Sequence, residues 1–525
     1  MTSDAPQPSP DDLVEAEFDI DFYLATNEDV AESGIDPWLH FRTFGWREKR
    51  DPTPDFSVAK YLDLHPDVAV LQTDPFDHYV RHGRAEGRPT DHEYGLRYDI
   101  LIGRPAFEER IQIRSRLAER PRPDSVAALD EALLSAGERT GPSGGLHLTF
   151  SHDDYTAIPG GVQLCIRLES EAVQAAGRTH LNLHPASPGQ TIEVEREAPL
   201  VRLHLDGRSI GCFSYADVAA SLAAWSGGRP SSIAVHSLIG HSVDGVLQLA
   251  AAVQAPETYV WLHDFSSLCA NYALMRNDVE YCGAPDLLSN ACTLCAYGQR
   301  RPIHLAEHAR LFDVLDVTVL APSSAAAGLW AERFPGRHEV RVHPHARLVP
   351  RPGSRQKART GPLRVAFPGM ATLHKGWPVF SELVRRFEGD PRYNFHHLGR
   401  SPDPRVPDVA FTRVAPSEAD PEPMIAAIGA LDIDVAVVWS VWPETFCFTA
   451  YEAAAGGAFV LTGPLAGHVV ELASQAGRGF VARDEDHLFN LFETGEIAAL
   501  ARPGRVRQDL EYSRMSADFI GGPAT

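Results

Sequence analysis

Two glutamates eight residues apart, Glu444 and Glu452, stand in the segment PETFCFTAYEAAAGG (443–457), which is otherwise alanine-rich and apolar. Read as one helix, that spacing turns the second carboxylate about 80° from the first and sets it about 12 Å along the axis, so the pair would reach different parts of one elongated ligand. Two charges in so apolar a stretch are costly to bury without partners. Pro443 ends the preceding loop, and Glu444 would sit near the helix start, where a carboxylate is favoured. In FPGMATLHKGW (367–377), Gly369 closes a strand and Lys375 and Gly376 lead into a helix. An ammonium at that point, with the helix amides beside it, suits a diphosphate. In GPLAGHVVEL (463–472), Gly467 and His468 open another helix after a strand, and exposed amides there would take a phosphate. IPGGVQ (158–163) sets Gly160 and Gly161 before a long helix, where the missing Cβ lets backbone approach a phosphate or sugar. WLHDF (261–265) closes a strand with His263 and Asp264, either directed into a cleft or forming a satisfied structural pair.

Four cysteines, Cys269, Cys282, Cys292 and Cys295, fall within a short stretch, and Cys292-x-x-Cys295 has the spacing of a zinc-chelating hook. The two longer spacings match no standard finger. The set reads either as ligands of a structural zinc stapling a loop over the cleft or as buried inert thiols. Cys165, Cys212 and Cys447 read as core residues. His343 and His345 read as packing at the segment between two domains.

The elements that would position these groups alternate. LHLTF (146–150), SIAVHS (232–237), TYVWLHD (258–264) and VLDVTVLAPS (314–323) are strand candidates interleaved with helices. After a Gly/Pro/basic break at 351–362, LRVAFPG, YNFHHLG, DIDVAVVWS and AFVLTG repeat the pattern. The fold class is therefore α/β, two Rossmann-like domains facing a cleft, with ligands at the carboxyl ends of the strands. Ahead of them lies a 38-residue repeat: Phe18, Tyr23, Asp29, Asp36, Pro37, His40, Gly45 and Arg50 recur as Phe56, Tyr61, Asp67, Asp74, Pro75, His78, Gly83 and Arg88. Each unit reads as two helices, with Asp-Pro starting the second and the glycine capping its end. The expected layout is 1–15 disordered, 16–90 an all-α repeat domain, 91–145 a linker with helices, 146–350 an acceptor domain, 361–500 a donor domain, and 501–525 a tail suited to a crossing helix.

The Glu444–Glu452 segment resembles the E-x7-E motif of retaining GT-B glycosyltransferases, family 4 in particular. FPGMATLHKGW resembles that family's diphosphate clamp, with Met370 in the usual place of an arginine. GPLAGHVVEL resembles its G-G-x-x-E stretch, IPGGVQ its N-terminal Gly-Gly loop, and the repeats resemble tandem YLxxNPDV modules attached to some bacterial polysaccharide glycosyltransferases. The resemblance implies that Glu444 contacts donor-sugar hydroxyls, Glu452 the nucleotide ribose and Lys375 the diphosphate, with His263 and Asp264 near the reacting sugar. Gly369, Gly376, Gly467, His468, Thr445, Phe446, Gly160 and Gly161 complete the donor-binding set. It further implies a nucleotide-sugar donor, a glycan or lipid-linked glycan acceptor, and surface-polysaccharide assembly. No Asp-x-Asp is read after a strand of the donor half, and no cofactor is expected in the chemistry. A nucleotide-sugar epimerase and a non-catalytic binding scaffold are the alternatives.

The 525 residues carry 70 acidic and 48 basic side chains, a formal net charge of −22. That balance excludes a nucleic-acid-coating face and leaves at most peripheral membrane contact. No apolar run reaches the length of a membrane span, and the acidic start of the chain is not a secretory signal. Seven cysteines make no disulfide framework. Cytoplasmic location is expected, with the repeats free to dock a protein partner.

Overall fold

A computed structural model describes residues 10–93, 95–117, 121–141, 144–196, 198–334, 336, 338–355, 360–406, 408–415, 422–475, 477–502 and 506–520. The N-terminal unit is all-helical, and its two repeats make the same contacts at the same offset. Tyr23 Oη meets His40 Nδ1 at 2.9 Å, and Tyr61 Oη meets His78 Nδ1 at 3.0 Å. Asp36 and Asp74 accept amide bonds at the start of helices Pro37–His40 and Pro75–His78. Gly45 and Gly83 are not left-handed caps. They lie in wide helical turns where a Cβ would come within 2.2 Å of the Tyr23 or Tyr61 hydroxyl, so close approach requires them. The two units share one aromatic core, with Phe41 and Phe76 rings 6.0 Å apart. Residues 10–15, expected to be disordered, form a helix whose Val14 is buried in that core; residues 1–9 lie outside the described residues.

The middle of the chain builds an eight-stranded sheet from β1 (Leu146–Phe150), β2 (Thr179–Pro185), β3 (Leu200–Leu205), β4 (Arg208–Ser214), β5 (Ser231–Val235) and β6 (Glu257–Trp261), then, past the small ribbon β7 (Met275–Arg276) and β8 (Glu280–Tyr281), from β9 (Val317–Ala321) and β10 (Glu339–Val342). Its order is β10-β9-β6-β5-β1-β2-β3-β4, parallel except where β3 and β4 fold back on β2. Strands β1 and β2 alternate: Leu146, Leu148, Phe150, Leu181 and Leu183 enter the apolar core, while His147, Thr149, His180, Asn182 and His184 take the other face. Helix Val126–Thr140, assigned from sequence to the linker, belongs to this domain. Its Leu129, Leu133 and Ala136 follow the spacing of one helical face and are fully buried in the same core.

The strand β11 (Ala346–Arg355) runs through the segment expected to be a break. It opens the second lobe, whose sheet is β12 (Leu363–Pro368), β13 (Tyr393–Gly399), β14 (Ala410–Arg413), β15 (Val435–Val437), β16 (Phe459–Thr462) and β17 (Gly479–Val481). The order β14-β13-β12-β15-β16-β17 is all parallel and reverses between β12 and β15. The chain then crosses back, not as a helix but as β18 (Val506–Tyr512), antiparallel to β11, followed by a short 3-10 turn, Met515–Asp518. Met515 is buried beneath the first lobe with Cys165 and Trp261, and the Trp261 indole donates to Ser516 Oγ (2.9 Å). The molecule thus has the two Rossmann-like lobes and the helical preface expected. Among the described residues, no helix is long and apolar enough to cross a membrane.

Candidate functional site

The reversal between β12 and β15 opens a crevice at the carboxyl ends of the strands, the place where doubly wound sheets bind ligands. The loop after β12 delivers Lys375 and the loop after β15 delivers Glu444. The two side chains meet: Lys375 Nζ donates to Glu444 Oε1 at 2.6 Å, and Ser440 Oγ donates to the same oxygen at 2.7 Å. Glu444 is only 4% exposed. Burial alone would pull the Lys375 ammonium down. The carboxylate beside it, with smaller contributions from Cys447 and Tyr272, outweighs that and holds it above its ordinary value.

Two glycines make this pairing sterically attainable. Gly376 sits at φ +85°, and a Cβ there would lie 1.8 Å from the Trp439 carbonyl oxygen, so the two loops touch backbone to backbone. Gly467, at φ +57°, would put a Cβ 2.5 Å from the carbonyl oxygen of Glu444. Gly369 is also left-handed, φ +117°, but nothing stands within 4 Å of its missing Cβ.

Several expected roles change. The helix after β15 begins only at Phe448, so Glu444 lies in the loop before it, and the helical angle between the two glutamates does not apply. Glu452 lies one turn into that helix, about 6 Å along its axis. It shares a face with Phe448, whose ring packs on Gly161 of the first lobe and stacks on His345. Burial, with Glu422 nearby, pushes the Glu452 carboxyl up to about 7. Thr445 and Phe446 are held by protein contacts: Thr445 Oγ1 donates to the His263 carbonyl across the lobes, and Phe446 is buried among His345, Phe448, Tyr451 and His468. The amide of His468 is spent on Glu444 O (2.9 Å), and those of Val469 and Val470 on Ala466 and Gly467, so this turn has no free amides for phosphate at those three positions. An Asp-x-Asp does follow a strand: Asp484 and Asp486 come after β17. Asp484 caps the next helix through the His487 amide (2.7 Å), and β17 is separated from the crevice by β16.

From the first lobe, His263 and Asp264 follow β6. His263 is held in a buried run of hydrogen bonds that sequence reasoning missed. His147 Nε2 and His236 Nε2 meet Glu169 Oε1 at 2.6 and 3.2 Å, His236 Nδ1 meets His263 Nε2 at 2.8 Å, and His263 Nδ1 meets His345 Nε2 at 3.1 Å. Desolvation keeps His263 and His345 well below the ordinary imidazole value. Burial raises the Asp264 carboxyl even though it accepts the Ser266 amide. His345 is therefore more than hinge packing. For His147 the signal available was the alternation of histidine with leucine in LHLTF; the segments around His236, His263 and His345 carry no such pattern. Gly160 precedes helix Gly161–Ala175, and Pro159 O accepts from Arg400 of the second lobe (3.3 Å). Trp442 lies against Phe265 and Tyr272 across the crevice, with Lys375 Nζ 5.8 Å from its ring centre.

The four cysteines surround one small cavity. No three of their sulfurs come within 4.8 Å of one another, and Arg301 Nη1 donates to Cys292 Sγ at 2.7 Å. As folded, the set does not form a zinc tetrahedron. A cavity of about 1350 Å³ lies elsewhere, between the repeats and helix Trp377–Arg386 of the second lobe.

No protein-family model matches the chain, and no curated protein matches it. Solved structures do. The sucrose-phosphate synthase of Thermosynechococcus elongatus aligns at 16% identity and a TM-score of 0.44 over 68% of this chain and 91% of its own. The pneumococcal O-GlcNAc transferase GtfA, in complex with UDP and GlcNAc, aligns at 9% identity and 0.43 over 68% and 92%. A glycosyltransferase from Rickettsia africae aligns at 12% identity and 0.42 over 68% and 91%.

Proposed function

We propose that this chain transfers a sugar, with retention of configuration, from a nucleoside-diphosphate-sugar donor to a glycan acceptor. The observation that carries the reading is the Lys375–Glu444 pair, fixed by Ser440 at the β12/β15 reversal. When the sugar–phosphate bond breaks, negative charge grows on the diphosphate. A partly buried lysine already oriented in that crevice by Glu444 stabilises it with little reorganisation. Glu444 accepts from sugar hydroxyls through its second carboxylate oxygen, and Glu452 accepts from the ribose diol. With the His468 amide already used, Lys375 and the Gly467 amide stabilise the leaving group, and the chemical step calls on no metal ion. His263 and Asp264 stand at the facing edge, where the acceptor enters.

One observation favours a second reading, a non-catalytic sugar-nucleotide binder: Met370, 53% exposed beside Gly369, brings no charge to the clamp. A thermal-shift panel of UDP-, GDP-, dTDP- and ADP-sugars, followed by product analysis across glycan acceptors, separates the two. Stabilisation by one donor and its loss in Lys375→Ala and Glu452→Ala are expected. Donor binding with no transfer to any acceptor selects the second reading, and no donor binding defeats both.

A further inference from the structure

Three further side chains of the first lobe converge, apart from the Lys375–Glu444 pair in the chain and in their contacts. His184 ends β2, and His204 lies in the neighbouring β3; their rings are 5.5 Å apart and 19° from parallel. Asp154 comes from the loop after β1. One ligand atom of each of the three lies within 4.8 Å of the others, and His204 Nε2 is 3.5 Å from Asp154 Oδ2. The two histidines are 6% and 3% exposed, yet His184 Nε2 has no hydrogen-bond partner. A buried nitrogen left unpaired beside an imidazole and a carboxylate demands a reason.

Two of the three groups carry the supporting bonds that orient a metal ligand. The Asp154 carboxylate is anchored by one oxygen only: Oδ1 accepts from the Thr156 amide (2.8 Å) and hydroxyl (2.6 Å), leaving Oδ2 for the histidines. His184 Nδ1 faces the Pro185 carbonyl (3.3 Å), which fixes the tautomer that leaves a lone pair on Nε2. Two neutral imidazoles and one carboxylate are the donor set of a borderline divalent ion. Metal–nitrogen and metal–oxygen bonds of about 2.0–2.2 Å at a tetrahedral angle separate ligand atoms by roughly 3.3–3.5 Å.

We propose that Asp154 Oδ2, His184 Nε2 and His204 Nε2 form a three-ligand site for a divalent transition ion of the zinc class, with a coordination position left for water or a ligand oxygen. The ion ties the loop 151–160 to the β2/β3 edge. That loop ends at Gly160 and Gly161, and its Asp153 also accepts from Gln163 on the following helix (2.7 Å). The site stands independently of the glycosyl-transfer reading.

Cobalt(II) titration of the chelator-treated full chain tests it. One cobalt per chain is expected with a nitrogen/oxygen visible spectrum and no thiolate charge-transfer band, unchanged in Cys292→Ser/Cys295→Ser. His204→Ala and Asp154→Asn should each weaken binding at least tenfold. If His204→Ala does not fold, Asp154→Asn, at a partly exposed residue, carries the affinity test, and pulsed electron paramagnetic resonance of the copper(II)-loaded wild type should count two imidazoles. No binding, binding only with a thiolate band, unchanged affinity in Asp154→Asn, or any count other than two overturns the site.

Discussion

Lys375 and Glu444 form a pair in which neither charge is cheap to strand. Glu444 is nearly fully buried, so Lys375→Met leaves its carboxylate with Ser440 alone, at a cost of about 1–3 kcal/mol. Replacing both, Lys375→Met with Glu444→Gln, removes the stranded charge and should return most of that stability. Donor-induced stabilisation should be absent from both variants. Melting temperatures with and without donor decide this; a double variant no more stable than the single would mean the pair is not coupled as the geometry requires. Glu452 gives a pH signature. Its carboxyl is pushed up to about 7, so below that pH it is increasingly protonated and accepts from ribose hydroxyls less well. Donor affinity should fall toward tenfold per unit as pH drops below about 7 and be flat above it. The linkage to folding has the opposite sense. A folded value raised above the ordinary 4.5 means that the stability this group contributes is full below about pH 4.5 and is lost as pH rises through about 7. Glu452→Gln should flatten both profiles; a donor-affinity profile unaltered by that change would remove Glu452 from the ribose.

At the scale of elements, the glycines separate steric need from conformational need. Gly376→Ala and Gly467→Ala place a methyl 1.8 and 2.5 Å from backbone oxygens that cannot move aside without breaking the loop pairing, so soluble expression or cooperative melting should be lost. Gly369→Ala meets no neighbour within 4 Å and is strained only by its left-handed φ, a cost of about 1–2 kcal/mol. Should Gly467→Ala melt like Gly369→Ala, the close packing of that turn on Glu444 would be wrong. These loops also show what was readable beforehand. The strands β1, β5, β6, β12, β13 and β16 announce themselves as apolar runs bounded by turn residues; Lys375 reads from its place after such a strand, and Glu444 from its eight-residue spacing to Glu452. THLNLHP was passed over because its polar half is histidine, which carries no strand preference of its own. The histidine run through Glu169 joins residues 22 to 82 positions apart, and nothing local in a sequence records such pairings. The turn amides at 468–470 looked available because a helix start usually offers them; only the packing of Gly467 on Glu444 consumes one.

Over the whole molecule, buried histidines are distributed unevenly between the lobes, and that makes acid a selective denaturant. In the first lobe burial brings His180, His241 and His308 down to about 3 and His184 and His304 down to about 4. In the second, His374 and His468 are brought to about 4. A histidine whose folded value is depressed contributes stability that is full above its unfolded value, near 6.5, and is lost as pH falls through the folded one. Each such group adds up to about 1.4 kcal/mol per pH unit to that loss. Burial also depresses His204 and His263 in the first lobe and His396 and His397 in the second. Seven against four makes the first lobe the steeper, while Glu452, which gains stability toward acid, partly protects the second. Hydrogen exchange at pH 7.5 and pH 5 should therefore show protection lost first in β1, β2 and β5, with β12 and β16 persisting. Earlier loss in the second lobe would mean that its four depressed histidines, or the pairing of Lys375 with Glu444, govern acid stability instead.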